Sequence, residues 1–467
     1  MSSSPSQDRP LIIGGGISGL AAAYYLAKRG RASVLFEAGR VGGVIQTKRL
    51  ADCVLEEGPD SFLSAKPEAQ ELIRELGLGE DVIGSNDAQR ATWIWRDGKM
   101  IPLPDGLMMM VPTKVLPLAT SPLLSWGTKV RMGLEWFQAP RRNAPDRSVG
   151  DFIEAHYGKE AVEYLAEPLL SGVYGGDPYR LSVESVLPRF AEMERNYGSL
   201  TKGTLAGIAK APKAKAGATL FRTLKGGLGS MIEALRKAIA GHCEVIPEQV
   251  RNLRHQQNAG REFYTVETAA GQLHTGQWQS RQVVLATPAW AAGQLLGGMD
   301  AMLSDVLAGI GYSSSLTAGL VYERSSLGRQ FPAFGFLVPG KERQRLVACT
   351  FVDQKFNHRV PADKLLLRCF LGGAGQEEVV DWTDEAVIAA VREDLRRMLG
   401  IEQAPVATSV SRWPRSMAQY EVGHAKKLEI IEERLKAWPG LRLIGNGYRG
   451  IGIPDCIRLG KEAAASL

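Results

Sequence analysis

Cysteine is scarce and scattered in this chain. The five residues are Cys53, Cys243, Cys349, Cys369 and Cys456. They are odd in number and form no C-x-x-C pair, which argues against a disulfide framework or a zinc site and for a reducing compartment. The six histidines show no metal-ligand spacing, so no metal is expected. No stretch reaches the roughly 18 apolar residues that a membrane-spanning helix requires. Met1 to Arg9 is polar and Ser-rich, without the basic and apolar regions of a signal peptide. Zinc-finger spacing and RNA-binding motifs are missing too, which removes nucleic acid as an expected partner. Charge of one sign is modest: the formal net charge is +6 and the isoelectric point about 9.0. That suits an anionic membrane surface or an acidic substrate, and it suits many plain enzymes. These absences place the chain in the cytoplasm, touching a membrane from one side at most. What is present is an ordinary globular composition, 45% hydrophobic and 23% charged, over a length that allows two or three domains.

The most informative stretch is Pro10 to Ala38. Leu11-Ile12-Ile13 is a buried-strand run, and Gly14, Gly16 and Gly19 supply G-x-G-x-x-G. Ala21 to Lys28 continues as a helix that stops at Gly30. Ser33 to Phe36 reads as a second strand with Glu37 at its end. Strand, turn, helix, strand and acid in that order predict a dinucleotide site. Gly14 permits the turn, Gly16 lets a pyrophosphate approach the backbone, and Gly19 lets helix pack on strand. The helix N-terminus then offers free N–H groups and its dipole to the phosphates, and Glu37 accepts from ribose hydroxyls. Directly after come Ala38, Gly39, Arg40, Val41, Gly42 and Gly43. An arginine followed by a glycine pair here resembles the extended signature of FAD-containing amine oxidases, which favours FAD over NAD.

Farther along, Gln46 to Leu55 reads as a strand pair ending at Gly58-Pro59-Asp60-Ser61, a tight turn that lies either at the surface or near a flavin. Pro67 to Leu76 is predicted helical, and Arg96-Asp97-Gly98-Lys99 is a hairpin turn. Met100 to Gln138 mixes five prolines with Met108, Met109, Met110, Trp126, Trp136 and Phe137, fringed by Lys114, Lys129 and Arg131. It predicts either an apolar face for monotopic membrane contact or a helical cover on a substrate pocket; the two are compatible. Ser148 to Pro168 reads as helix, Pro168 to Pro178 as irregular, and Thr201 to Thr219 as a flexible loop. Gln282 to Thr287 is a buried strand. Tyr312–Tyr322, Phe334–Val338, Leu346–Phe351 and Leu365–Leu371 follow as strands of a mixed sheet. Asp384 to Leu399 is an amphipathic helix. Leu441 to Gly445 is a last core strand, running into a Gly-rich turn and a helix that starts at Gly452. That helix N-terminus suits something electron-rich, such as the N1–C2=O edge of a reduced flavin.

The closing segment GNGYRGIGIPDCI (445–457) is similar to the C-terminal signature of oxygen-dependent protoporphyrinogen IX oxidases. GGGISGLAAAYYL (14–26), GVYGGDPYRLS (172–182) and GFLVPGKER (335–343) also resemble that family, in order along nearly the whole chain. The bacterial members are the nearest in kind. The resemblance implies an α/β fold: a Rossmann-like FAD-binding domain, a mixed-sheet substrate domain and a mostly helical membrane-binding insertion. The implied boundaries are 1–85, 206–300 and 413–467 for the FAD-binding domain, 86–205 for the insertion, and 301–412 for the substrate domain. FAD contacts are implied at Gly14, Gly15, Gly16, Ile17, Ser18, Gly19, Glu37, Ala38, Arg40, Gly42, Gly43, Gly58, Pro59, Asp60 and Ser61. Val250 is implied on the adenine side through its backbone. Trp413, Ile451, Gly452, Ile453 and Pro454 are implied at the flavin end. In the substrate cleft, Leu337 matches an apolar residue that sandwiches a pyrrole ring, Phe370 an aromatic on the opposite wall, and Gly172 a glycine whose carbonyl faces the macrocycle. Such walls suit a flat, apolar tetrapyrrole.

The implied reaction is six-electron oxidation of protoporphyrinogen IX by dioxygen, releasing hydrogen peroxide, with flavin N5 as hydride acceptor. The chain departs from the family at one place. The arginine that meets a substrate propionate, just before the x-D-G hairpin, is here Thr92; Arg90, two residues earlier, would share its side if the strand extends that far. Coproporphyrinogen III, with four propionates, therefore stays open as substrate, as does a desaturase or amine oxidase on the same scaffold. No side-chain base is identified: His358 and His424 stand alone. The resemblance leaves room for a homodimer.

Overall fold

A computed structural model describes residues 9–211, 219–258, 261–268, 277–328 and 330–467. Leu11–Ile13 sits at the centre of a five-stranded parallel sheet ordered Cys243–Ile246, Ser33–Phe36, Leu11–Ile13, Val283–Leu285, Leu441–Leu443. Its strands come from the start, middle and end of the chain. The three inner strands are short and fully buried because both faces are covered. Helices Ile17–Ala27, Gly229–Ile239 and Ile453–Ser466 cover one face, sharing a core with Ile12, Leu35 and Val284. The first and last of these helices are in intimate contact. A Cβ added at Gly460 would stand 2.6 Å from the Ser18 carbonyl oxygen and 2.8 Å from Ala21 Cβ. Glycine is needed there so that the two backbones can approach.

The second body is a seven-stranded sheet ordered Ala407–Gln419, Gly311–Glu323, Lys364–Gly372, Leu346–Phe351, Gly335–Leu337, Thr92–Arg96, Lys99–Pro102. One face packs on helix Asp384–Leu399 through Leu316, Phe336, Cys349 and Leu371 against Val387, Val391 and Leu395. That helix has the bounds its pattern predicts. Thr383 Oγ1 accepts from Ala386 N at the start, and Gly400 closes the end in the left-handed region. The other face turns toward the helical insertion and the hairpin Thr47–Leu50/Cys53–Glu56.

The structure differs from the sequence expectations at several places. Thr92–Pro102 falls inside the 86–205 segment, yet it forms two strands of the seven-stranded sheet. Of Pro168–Pro178, expected to be irregular because of its glycines, the part up to Tyr174 is helical: helix Glu167–Tyr174 follows a π-helical turn at Val162–Ala166. Leu200–Lys210 is a helix, capped by Ser199, that crosses the 205/206 boundary. Of the expected Thr201–Thr219 loop, residues 212–218 lie outside the described residues. Strand Ala407–Gln419 runs through the 412/413 boundary and was not anticipated. Pro414 hides it, and the sheet tolerates that proline because the strand lies at an edge and bulges there. Met110 is core, whereas Met108 and Met109 are exposed.

Replacing Gly460 by valine should lower stability by about 1–3 kcal/mol through overpacking. A thermal melt should show a reduced Tm, because the added side chain meets the Ser18 carbonyl and Ala21 of helix Ile17–Ala27.

Candidate functional site

The opening motif builds a cradle. Gly14 turns the chain with φ +108°, and an added Cβ there would lie 2.5 Å from the Ala286 carbonyl oxygen. At Gly19 the added atom would overlap the Gly14 carbonyl oxygen, so helix and strand are as close as their backbones allow. At Gly16 nothing stands within 4 Å of that position, which leaves open space before the first N–H groups of the helix, at Ile17, Ser18 and Gly19. The Glu37 carboxylate is fixed by Gly15 N at 2.6 Å and Gly39 N at 2.7 Å, beside Ala38. The Arg40–Gly43 segment folds back over the cradle: Gly42 N donates to Gly15 O at 2.8 Å, and an added Cβ on Gly43 would be 3.3 Å from Gly16 Cα.

Arg40 then links this cradle to the Gly58–Ser61 turn through Glu57, at 3.0 Å. Glu57 also meets Lys48 at 3.4 Å and accepts from Ser411 at 3.0 Å, and its carbonyl accepts from Trp413 Nε1 at 2.9 Å. Burial acts to raise the Glu57 pKa, but the hydrogen bonds from Arg40 and Ser411 and the Lys48 charge hold it below the usual carboxylate range. Asp60 is pulled the same way and farther. Burial is outweighed by Lys355, at 2.9 Å, and by Arg368, at 3.6 Å. Pro59 and Ser61 complete the turn, with Ser61 Oγ donating to Asp60 at 2.6 Å.

The closing motif arrives beside the opening one. Gly452 caps helix Ile453–Ser466, with Pro454 in its first turn, and Ile451 packs toward the insertion's core. Asp455 folds against Gly450 and Gly452 and is held by Lys66 Nζ at 2.6 and 2.7 Å. Tyr420 clamps the preceding turn. Its hydroxyl donates to Asn446 O at 2.7 Å and accepts from Gly450 N at 2.9 Å. His424 stacks on that ring at 4.1 Å and its Nε2–H donates to Tyr448 O at 3.0 Å, so it is a structural group. His358 is partly buried and held at about 4 by desolvation and by Arg359 and Lys225. Val250 is buried at the start of its strand, near the Ile246 end of the parallel sheet.

These residues fit a dinucleotide flavin. The space at Gly16 and the backbone-held Glu37 suit a pyrophosphate and a ribose. Thr287 Oγ1 adds a further sign: it is buried without a hydrogen-bond partner among the described residues, while the Thr287 backbone lies between Gly14 and Gly445.

Leu337 and Phe370, two of the residues expected at the substrate, lie in one cross-strand row. Leu337 is paired with Ala348, Ala348 with Phe370, Phe370 with Thr317, and Thr317 with Ser411. Directly paired residues share a face, so this row crosses five strands, about 19 Å at the usual strand spacing. It ends at Ser411 and thus at Glu57. Leu337 and Phe370 were expected on opposite walls; they lie on one face, two strands apart. The facing wall is helix Glu167–Tyr174, where an added Cβ on Gly172 would be 3.7 Å from Leu337 Cδ2. Arg90 falls outside this row. The strand begins at Thr92, so the alternation argument does not reach it; Arg90 is exposed, close enough for its charge to act on Asp105.

Sequence reasoning missed Thr287, Lys355 and Arg368. The last had a signal: it is a charge inside the otherwise apolar strand Leu365–Leu371. Buried charges are rare unless paired, so such a residue marks a polar site against that face.

Comparisons agree with this geometry. Residues 17–467 match the flavin containing amine oxidoreductase family. The chain is 33% identical to the coproporphyrinogen III oxidase of Bacillus subtilis, over 97% of each chain. It is 27% identical to protoporphyrinogen oxidase 2 of Arabidopsis thaliana, over 98% of this chain and 93% of that one. A crystal structure from Exiguobacterium sp. 255-15, described as a candidate protoporphyrinogen oxidase, superposes with a TM-score of 0.86 at 30% identity, over 99% of each chain.

Glu37→Gln keeps an acceptor but loses the charge-assisted bonds. It should weaken FAD binding about tenfold, measured as the Kd of apoprotein for FAD by flavin fluorescence.

Proposed function

The chain belongs to the flavin containing amine oxidoreductase family, and on that premise we propose that it is the FAD-dependent enzyme that oxidises protoporphyrinogen IX to protoporphyrin IX in haem biosynthesis. The observation that carries this reading is the row Leu337–Ala348–Phe370–Thr317–Ser411. It is a flat, mostly apolar floor that starts under Gly172 and ends beside the flavin-side residues Glu57 and Trp413. A planar macrocycle is the kind of ligand that such a floor orients with few polar contacts.

When bound, FAD supplies the two-electron acceptor, and its reoxidation by dioxygen yields hydrogen peroxide, so three rounds remove six electrons. The chain's own work is placement. Leu337 and Phe370 hold the ring on the sheet, helix Glu167–Tyr174 closes over it, and the clamped 446–450 turn holds the last helix's N–H groups in position. No side chain of this cleft has the position of a general base, in keeping with proton loss from pyrrole N–H groups by tautomerisation.

A second reading, oxidation of coproporphyrinogen III, is favoured by one specific observation. The Bacillus subtilis relative bearing that name is more similar than the Arabidopsis relative named for protoporphyrinogen. Anaerobic titration of holoenzyme with each porphyrinogen separates the two. Protoporphyrinogen IX should bleach the oxidised flavin band and be turned over at least as fast. A strong preference for the four-propionate ring would assign the second reading, and failure of both to bleach the flavin would remove porphyrinogens altogether.

The insertion is also the part we assign to a membrane surface, on the inner face of the cell membrane. Among the described residues no helix is long and apolar enough to cross a bilayer. The insertion nevertheless exposes Val115 (85%), Leu116 (72%), Trp126 (68%) and Phe137 (79%). Lys129 lies 4.6 Å from the Trp126 ring and Lys202 5.4 Å from that of Trp136, the basic fringe that anionic headgroups attract. Changing Leu116, Trp126 and Phe137 together to serine should abolish co-sedimentation with anionic vesicles and leave flavin content intact; unchanged co-sedimentation would remove this surface from the proposal.

A further inference from the structure

Around the turn from Glu56 to Asp60 the five cations Arg40, Lys48, Lys355, Arg359 and Arg368 face the three carboxylates Glu56, Glu57 and Asp60. Glu56 is paired with Arg359 at 2.9 Å and accepts from Thr47 at 2.5 Å and from Leu228 N at 2.7 Å. Glu57 is shared by Arg40 and Lys48. Asp60 is held by Lys355 at 2.9 and 3.0 Å. Each of the three carboxylates thus has a closer cation than Arg368, whose nearest carboxylate oxygen is Asp60 Oδ2 at 3.6 Å. Its other partners are neutral: Nε donates to Glu56 O at 2.9 Å, and Nη2 donates to Gly58 O. Arg368 is only 4% exposed. It stands two residues before Phe370 on the same strand face, and its guanidinium stacks on that ring at 4.6 Å.

A cation taken out of water needs negative charge or dipoles that match it. Here the supply is two carbonyl dipoles, a share of the Asp60 carboxylate, the more distant Glu56 carboxylate and the Phe370 ring face, and the Arg359 charge opposes it. This residue lies between the Glu56–Asp60 turn, which we assign to the flavin side, and the Phe370 ring. A flavin gains negative charge when it accepts hydride. We infer that Arg368 is a positioning residue for that charge: acting through the Glu56–Asp60 turn, it favours the reduced cofactor and fixes the turn against Phe370. This rests on flavin binding and not on which porphyrinogen is oxidised. In general, two unit charges about 10 Å apart at an effective dielectric near 20 interact strongly enough to change an equilibrium roughly tenfold.

The test is the midpoint potential of the flavin in holoenzyme, without substrate, together with sulfite affinity, since the sulfite adduct also leaves the ring negatively charged. Arg368→Met should lower the potential and weaken sulfite binding about tenfold. Arg368→Lys, which keeps the charge, should stay near wild type in both. Asp60→Asn, which removes the counter-charge, should move the potential the opposite way. A purely structural role moves the Met and Asn variants in the same direction or neither, and either result overturns the inference. Where Arg368→Met retains too little flavin to titrate, Asp60→Asn decides: a potential unchanged or lowered overturns it. Absence of activity on any porphyrinogen would leave these potentials untouched, so the substrate assignment and this one fail separately.

Discussion

The close approach of the first and last helices at Gly460 is the contact on which the rest of the site depends. Helix Ile17–Ala27 offers N–H groups at one end of the cradle, and helix Ile453–Ser466 offers them at the other. Their relative height is set where Gly460 meets Ser18 and Ala21. Side-chain packing alone would keep such helices about 8–10 Å apart. A glycine at the crossing brings the two termini to the same cavity, so that one extended ligand can reach both.

The second sheet is joined to this pair through charge and through register. Glu57 receives Arg40 from the cradle side and Ser411 and Trp413 from the edge strand. The same edge strand continues the cross-strand row to Phe370 and Leu337. Cofactor turn and substrate floor are therefore not separate parts that happen to adjoin. A shift of the edge strand by one residue would turn Ser411 to the other face and break its link to Glu57. The bulge at Pro414–Ser416 is where that strand departs from regular pairing, before Met417 and Ser313 pair again.

Local patterns were legible in the sequence, and non-local ones were not. The opening unit could be read because strand, turn, helix and acid lie within thirty residues and each glycine answers a nearby steric demand. Asp384–Leu399 could be read from its apolar stripe and its caps. The strand Ala407–Gln419 could not, because an edge strand tolerates a proline and alternates weakly. Leu337 and Phe370 are expected at the substrate from the resemblance, but their shared face depends on pairing with Ala348, which no periodicity within either segment specifies. Arg368 stands some 310 positions from the carbonyls that receive it, so only its charge within an apolar run could have marked it.

The order of strands in the parallel sheet has a consequence for biosynthesis. Its central strands, Leu11–Ile13 and Ser33–Phe36, are among the first made, while Leu441–Leu443 and the helix after it are the last. A nascent chain carries the whole phosphate cradle long before it has the edge strand and the second helix terminus. Until then the early strands lack that edge neighbour and the first helix lacks its cover. The two helix N-termini, at Ile17 and Ile453, lie some 430 positions apart in sequence, so a site that uses both exists only once both have been made.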